Sequence, residues 1–178
     1  MNAYGTFTAP DTVRIERLLP GPIERVWAYL TESDKRGRWL SSGDMDLRPG
    51  GQVEHVFRNS ELTLNDDPAP AKYQRHAGAV TMGGEITACE QFRLLAYRWG
   101  TDANASHVTF ELTPQNDKVL LVVTHRQIAS RDNLLGFSAG WHTHLDILAD
   151  RLEGREPPGF WKTHGRLVAE YESRMPAA

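Results

Sequence analysis

The sequence predicts an α+β domain in which an antiparallel sheet of about six or seven strands lies beneath a long C-terminal helix. Three observations carry that expectation. The chain opens strand, helix, helix; residues 44–126 run in period-2 segments joined by short polar connections; and residues 134–152 form one long amphipathic stretch. A sheet has to bury one face, and the apolar stripe of that stretch is its natural cover.

The elements follow in order. Residues 13–19 alternate, with Val13 and Ile15 on one face and Arg17 next along it, until Pro20-Gly21-Pro22 stops the strand. Residues 23–30 then have helical spacing, with Ile23, Val26, Trp27 and Leu30 on one side. Ser33 or Asp34 caps a second short helix to about Trp39. The cluster Lys35, Arg36, Arg38 beside Asp34 reads as a solvated helix face. Residues 44–47 and 51–58 flank Pro49-Gly50-Gly51 and predict a hairpin. Strands follow over 85–89, 93–99, 107–113 and 118–126, and their short connections favour an antiparallel meander. Residues 59–83 read as a loop of the length that often carries function. Along the helix of 134–152, Leu134, Phe137, Trp141, Leu145, Leu148, Ala149 and Leu152 share one stripe, opposed by Thr143, Asp146 and Asp150, and Gly154 signals its end. After Pro157-Pro158 a second helix spans 159–174 and docks through Phe160, Leu167 and Tyr171. The expected organisation is an N-terminal arm (1–12), the main domain (13–154) and a helical extension (155–178).

Composition narrows the function classes. The chain has 178 residues, five tryptophans and a formal charge of −3, which fits a folded domain and shows no basic footprint for nucleic acid. A single cysteine, Cys89, excludes an intrachain disulfide and any multi-cysteine metal site, as expected in a reducing cytoplasm. The first residues lack a basic and apolar leader pattern, and no apolar run reaches the roughly 20 residues a membrane span needs. The sequence has no G-x-S-x-G elbow, P-loop or G-x-G-x-x-G followed by a helix. A soluble, cytoplasmic protein with no cofactor and no metal is expected.

Several stretches together resemble a known family. They are VWAYL after the Pro-Gly-Pro turn, Trp39, Pro49-Gly50-Gly51 leading into a strand, EITACEQFRLLAYRW, SHVTFEL, LVVTHRQI and GWHTHLDILADRLEG. Their order resembles the START-like, helix-grip superfamily called SRPBCC. The branch is the one homologous to the C-terminal domain of the activator of a heat-shock chaperone's ATPase. Gln91-Phe92 stands where members commonly have a proline, and the tail looks like the extension of one bacterial subgroup. The resemblance implies a curved sheet wrapped around the long helix with a cavity between them. In such a cavity relatives bind apolar or amphipathic small molecules; others are enzymes, or bind a protein partner, and many form homodimers. Fold alone does not choose among these.

Strand alternation supplies the candidate cavity residues: Val53, His55 and Phe57; Tyr97 and Trp99; Phe110; Val123 and His125. Trp141 and Leu145 face them from the helix. His55 and His125, on an otherwise apolar interior, have three readings: core histidines bonded to each other, to backbone or to water; anchors for the polar end of a ligand; or general acid–base groups. His142 and His144 fall about 80° to either side of the helical stripe, so they cannot share a metal, although either could touch the cavity rim. The resemblance and this face together imply a binder of a small hydrophobic molecule. The alternatives are a co-regulator of a chaperone ATPase and an enzyme using His55 or His125.

Overall fold

The computed structural model describes residues 4–175. Seven strands, β1 (Thr6–Ala9), β2 (Thr12–Pro20), β3 (Gln52–Phe57), β4 (Val80–Glu90), β5 (Leu94–Trp99), β6 (Ser106–Gln115) and β7 (Lys118–Arg126), form one sheet. Its order is β1-β2-β7-β6-β5-β4-β3, and every neighbouring pair is antiparallel. Between β2 and β3 lie α1 (Ile23–Thr31) and α2 (Ser33–Arg36); α3 (Arg131–Leu152) and α4 (Phe160–Arg174) complete the chain. This is the helix-grip arrangement, a curved antiparallel sheet holding a long C-terminal helix.

Alternation places the apolar face inward as the sequence requires. Val53 and His55 on β3, Leu95 and Tyr97 on β5, Val108, Phe110 and Leu112 on β6, and Leu121, Val123 and His125 on β7 are buried, and α3 packs on them through Trp141, Leu145 and Leu148. Ser130 begins α3 by accepting a hydrogen bond from the Asn133 amide at 3.1 Å, which satisfies a donor the helix cannot. Gly154, at φ 72°, follows its end. Phe92 adopts φ 64° and sets its ring edge-on to Trp27.

Five features depart from the sequence reading. Residues 44–47 do not form a strand; only the isolated bridges Ser42↔Val56 and Met45↔Val53 attach this segment to β3. The expected loop of 59–83 holds two 3-10 turns, Asn59–Glu61 and Ala71–His76, and β4 begins at Val80 to pair along all of β3. The arm contains β1, paired to β2. Arg36 is not on a solvated face: it is 1% exposed and donates to the carbonyls of Thr31, Gly43 and Glu54 at 3.1, 2.6 and 3.2 Å. Thr143, expected on the polar face of α3, is buried and donates to the Ala139 carbonyl at 2.8 Å. The last departure has a simple cause: α3 is covered by the sheet on one side and by α4 on the other.

Candidate functional site

A cavity of about 480 Å³ opens between the sheet and α3, within the range typical of small-molecule sites. Phe57 and Trp99 reach it from β3 and β5, and Val80, Thr81 and Met82 from the start of β4. From α3 come Asp132, Asn133, Gly136, Phe137, Gly140, Trp141 and His144. The 3-10 turn Ala71–His76 covers one side with Lys72, Tyr73, Arg75 and His76. Phe160, Trp161 and His164 of α4 form an end wall.

That wall is held by a distant segment. Asp66 accepts hydrogen bonds from the Trp161 and Lys162 amides at 2.9 and 3.3 Å, and Thr63 accepts from the Phe160 amide at 2.9 Å. These are the donors an isolated α4 would leave unpaired, since its own cap residue, Gly159, has no side chain to offer. A Cβ at position 159 would collide with the Asp66 carboxylate. Ser60 accepts from the Trp161 indole at 2.9 Å, and Arg151 of α3 donates to the Leu62 carbonyl at 2.8 Å. The segment read from sequence as a loop is therefore a bracket between α3 and α4.

Gly136 and Gly140 lie one turn apart in the interior of α3, and a Cβ built on either meets no atom within 4 Å. Both positions line the cavity. The strip they form continues one turn later to His144.

The ten residues expected at the cavity take three different places. Phe57, Trp99 and Trp141 line it. His55, Tyr97, Phe110 and His125 stand in an aromatic layer directly behind them. His55 stacks on Phe57 with centroids 5.5 Å apart, Trp99 lies 5.4 Å from His55 and 5.5 Å from His125, and Phe110 meets Trp141 edge-on at 5.6 Å. Val53, Val123 and Leu145 pack in the core without reaching the opening.

The histidines are fixed by their partners. His125 accepts at Nδ1 from the Trp141 indole at 3.0 Å, so the neutral ring carries its proton on Nε2 and gives it to Ser106 Oγ at 2.7 Å. This bond also sets the orientation of Trp141 over the cavity. His55 shares a 2.7 Å hydrogen bond with Ser41 through Nδ1, and its Nε2 is buried without a partner. Burial pushes His55 down to about 3, with the nearby Arg36 charge adding to it. Burial likewise pushes His125 to about 3, with the His107 charge adding to it. Both rings stay neutral near pH 7, far from the matched pKa that proton transfer at that pH requires. Burial and the Arg36 charge act in opposite directions on the Tyr97 phenol, and burial prevails, raising its pKa.

His144 donates from Nδ1 to the Trp39 carbonyl at 2.6 Å and packs against Phe160. His164 is buried at the cavity end wall among Tyr73, Phe160 and Trp161, with Nδ1 unpartnered. Burial lowers both to about 4. His142 faces away from the cavity: it shares a 3.0 Å hydrogen bond with Tyr171 Oη, which also accepts from the Gly5 amide at 2.7 Å. Its Nε2 lies 3.3 Å from Asp146, and Asp146 pairs with Arg17 at 2.8 Å. These contacts join the N-terminal arm, α3 and α4. Among the described residues no group of three or more histidine, cysteine or acidic side chains is arranged to hold a metal, and no helix is long and apolar enough to cross a membrane.

The model of one family, described as activator of Hsp90 ATPase homolog 1-like protein, matches residues 20–153. The chain belongs to this family. The match begins at the end of β2 and stops short of α4, so the family's common region supplies β3 to β7 and α1 to α3, whereas Phe160, Trp161 and His164 lie beyond it. Among solved structures, the chain is similar to the protein encoded by gene BPP1335 of Bordetella parapertussis, with 40% identity and a TM-score of 0.80 over 99% of this chain and 92% of that one. It shares its fold with CalU16 of Micromonospora echinospora, at 21% identity and a TM-score of 0.66 over 91% and 86% of the two chains. It also shares its fold with DynU16 of the dynemicin biosynthetic locus, at 20% identity and a TM-score of 0.62 over 84% and 49%. No curated protein matches the chain.

Proposed function

We propose that the protein binds a small, largely apolar molecule in the cavity between the sheet and α3. The observation that carries this reading is the pair Gly136 and Gly140. A glycine inside a helix costs about 1 kcal/mol relative to alanine, and here two occupy successive turns under open space. Their effect is to leave the α3 side of a cavity of about 480 Å³ free of side chains over two turns. Phe57, Trp99 and Trp141 would contact the occupant, and His55, Tyr97, Phe110 and His125 would hold those rings in place from behind. Val53, Val123 and Leu145 would serve as packing beneath them.

Native mass spectrometry of freshly purified protein, beside a Gly140→Leu variant, tests the reading. A small-molecule adduct on the wild type that is lost in the variant supports it. An empty wild type, together with equal affinity of both proteins for the fluorophore anilinonaphthalene sulfonate, overturns it. The family's description favours a second reading, regulation of a chaperone ATPase by direct contact. An ATPase rate unchanged when this protein is added to the purified chaperone would remove it.

A further inference from the structure

The cavity has an aromatic body and one acceptor end. Six of its rings, Phe57, Trp99, Phe137, Trp141, Phe160 and Trp161, come from β3, β5, α3 and α4, while aliphatic contact is limited to Leu40, Val80 and Met82. Trp99 and Trp141 meet at 5.2 Å with an interplanar angle of 61°, and Phe160 and Trp161 at 4.9 Å and 89°. Walls of this kind reward a ring beyond the area it buries, and a rigid skeleton loses less conformational freedom on binding than an acyl chain. Along α3, the strip from Gly136 through Gly140 to His144 is about 12 Å long at 1.5 Å per residue. Its first two positions have no side chain to displace, so it forms a slot rather than a round hole.

The polar end is defined by geometry. The Trp39 carbonyl can only accept, so the 2.6 Å contact places the His144 proton on Nδ1. Nε2 of the neutral ring is then a bare acceptor. His164, whose Nδ1 is buried and unpartnered, lies beside the Gly136 backbone and feels the Lys72 and His76 charges, so it belongs to the other end of the strip. Charged groups lie at the opposite end: Lys72 pairs at 2.6 Å with Asp132, which is 12 residues, or about 18 Å, before His144 along the helix. Burial keeps His144 uncharged at neutral pH, so this end offers a lone pair and no cation to a ligand. A carboxylate has nothing there to pair with, whereas a hydroxyl does.

Resting on the cavity-binding reading above, we propose that the occupant is a flat aromatic molecule bearing a hydroxyl group, seated on the Gly136–Gly140 strip with its O–H donated to Nε2 of His144. Calorimetric titration with four probes, 2-naphthol, naphthalene, 2-naphthoate and 1-decanol, tests it. 2-Naphthol should bind about five- to tenfold more tightly than naphthalene, the ratio expected of one buried hydrogen bond, and more tightly than 2-naphthoate or 1-decanol. His144→Asn keeps an N–H for the Trp39 carbonyl and lacks the second ring nitrogen, so it should reduce 2-naphthol to the affinity of naphthalene. In the wild type, with ¹⁵N-labelled histidine, 2-naphthol should shift the His144 Nε2 resonance and naphthalene should not, a readout that needs no variant to fold. Equal binding of 2-naphthol and naphthalene, or an unmoved Nε2 resonance, overturns the hydroxyl assignment and leaves the cavity reading standing. Tighter binding of 1-decanol overturns the aromatic assignment in the same way. If no probe binds the wild type and Gly140→Leu behaves identically, the cavity reading fails and this proposal with it.

Discussion

Replacing Gly136 and Gly140 by alanine should make the ligand-free protein more stable. Each substitution removes the backbone-entropy penalty of a glycine in a helix interior, about 1 kcal/mol. Neither new methyl group meets an atom within 4 Å, so no packing strain offsets the gain, and the backbone term at each position is local to it. The double variant should therefore gain about 2 kcal/mol. For a chain of this size that corresponds to a rise in Tm of roughly 4–8 °C. Differential scanning calorimetry of the two single variants and the double variant, on protein stripped of small molecules, measures it directly. The same methyl groups narrow the slot, so the affinity for whatever occupies it should fall as the Tm rises. A lower Tm for either single variant would refute the reasoning, because it would mean that the space over that glycine is already filled.

Other outcomes follow from the polar interior and the bracket. His55, His125, His144 and His164 are lowered to about 3, 3, 4 and 4, below the unfolded value near 6.5. The unfolded chain thus binds more protons than the folded one between these limits. Stability should be complete above pH 6.5 and fall as the pH drops toward 4, each histidine adding up to about 1.4 kcal/mol per pH unit. Urea titrations at pH 7 and pH 5 that give equal stability would contradict this. Asp66→Ala should cost about 1 kcal/mol, typical of a lost helix cap, and should accelerate amide exchange at Trp161 and Lys162 before it affects the sheet; uniform exchange changes would argue against a local bracket. Arg36→Met leaves three backbone carbonyls without their donor and should lower the unfolding free energy by several kcal/mol, whereas Lys35→Met should change it by less than about 0.5 kcal/mol. Equal effects in chemical denaturation would contradict the burial of Arg36.

The parts of this structure legible in the sequence were those decided by local periodicity. Strands β5 and β6 differ enough between their two faces that alternation assigns the interior, whereas β7 is apolar on both faces over residues 120–123 and gives a weaker signal; the stripe of α3 identifies its docking surface. The first half of β4 was hidden because Thr81-Met82-Gly83-Gly84 has little strand propensity; its pairing with β3 supplies the order, and a Cβ at Gly84 would collide with the Arg98 carbonyl of β5. Arg36 was misread because a short charged cluster looks the same whether its arginine faces water or three inward carbonyls. The site was legible where strands and α3 meet, hence Phe57, Trp99 and Trp141. It was illegible where α4 meets residues almost a hundred positions earlier. His164, Trp161 and the glycine strip carry no sequence pattern of their own, although a pair of glycines four apart in a helix that otherwise packs well was an available signal.

The bracket at Asp66 also makes the end wall a reporter of occupancy. The Trp161 and Lys162 amides are bonded to this carboxylate, and the Trp161 ring lines the cavity. Any molecule that binds only the closed arrangement must, by linkage, lower the population in which this helix end detaches. Two amide protons would then slow their exchange with solvent as the cavity fills. Binding could be followed with the ligand unlabelled and even unidentified, from the exchange rates of two backbone protons anchored to the far side of the chain.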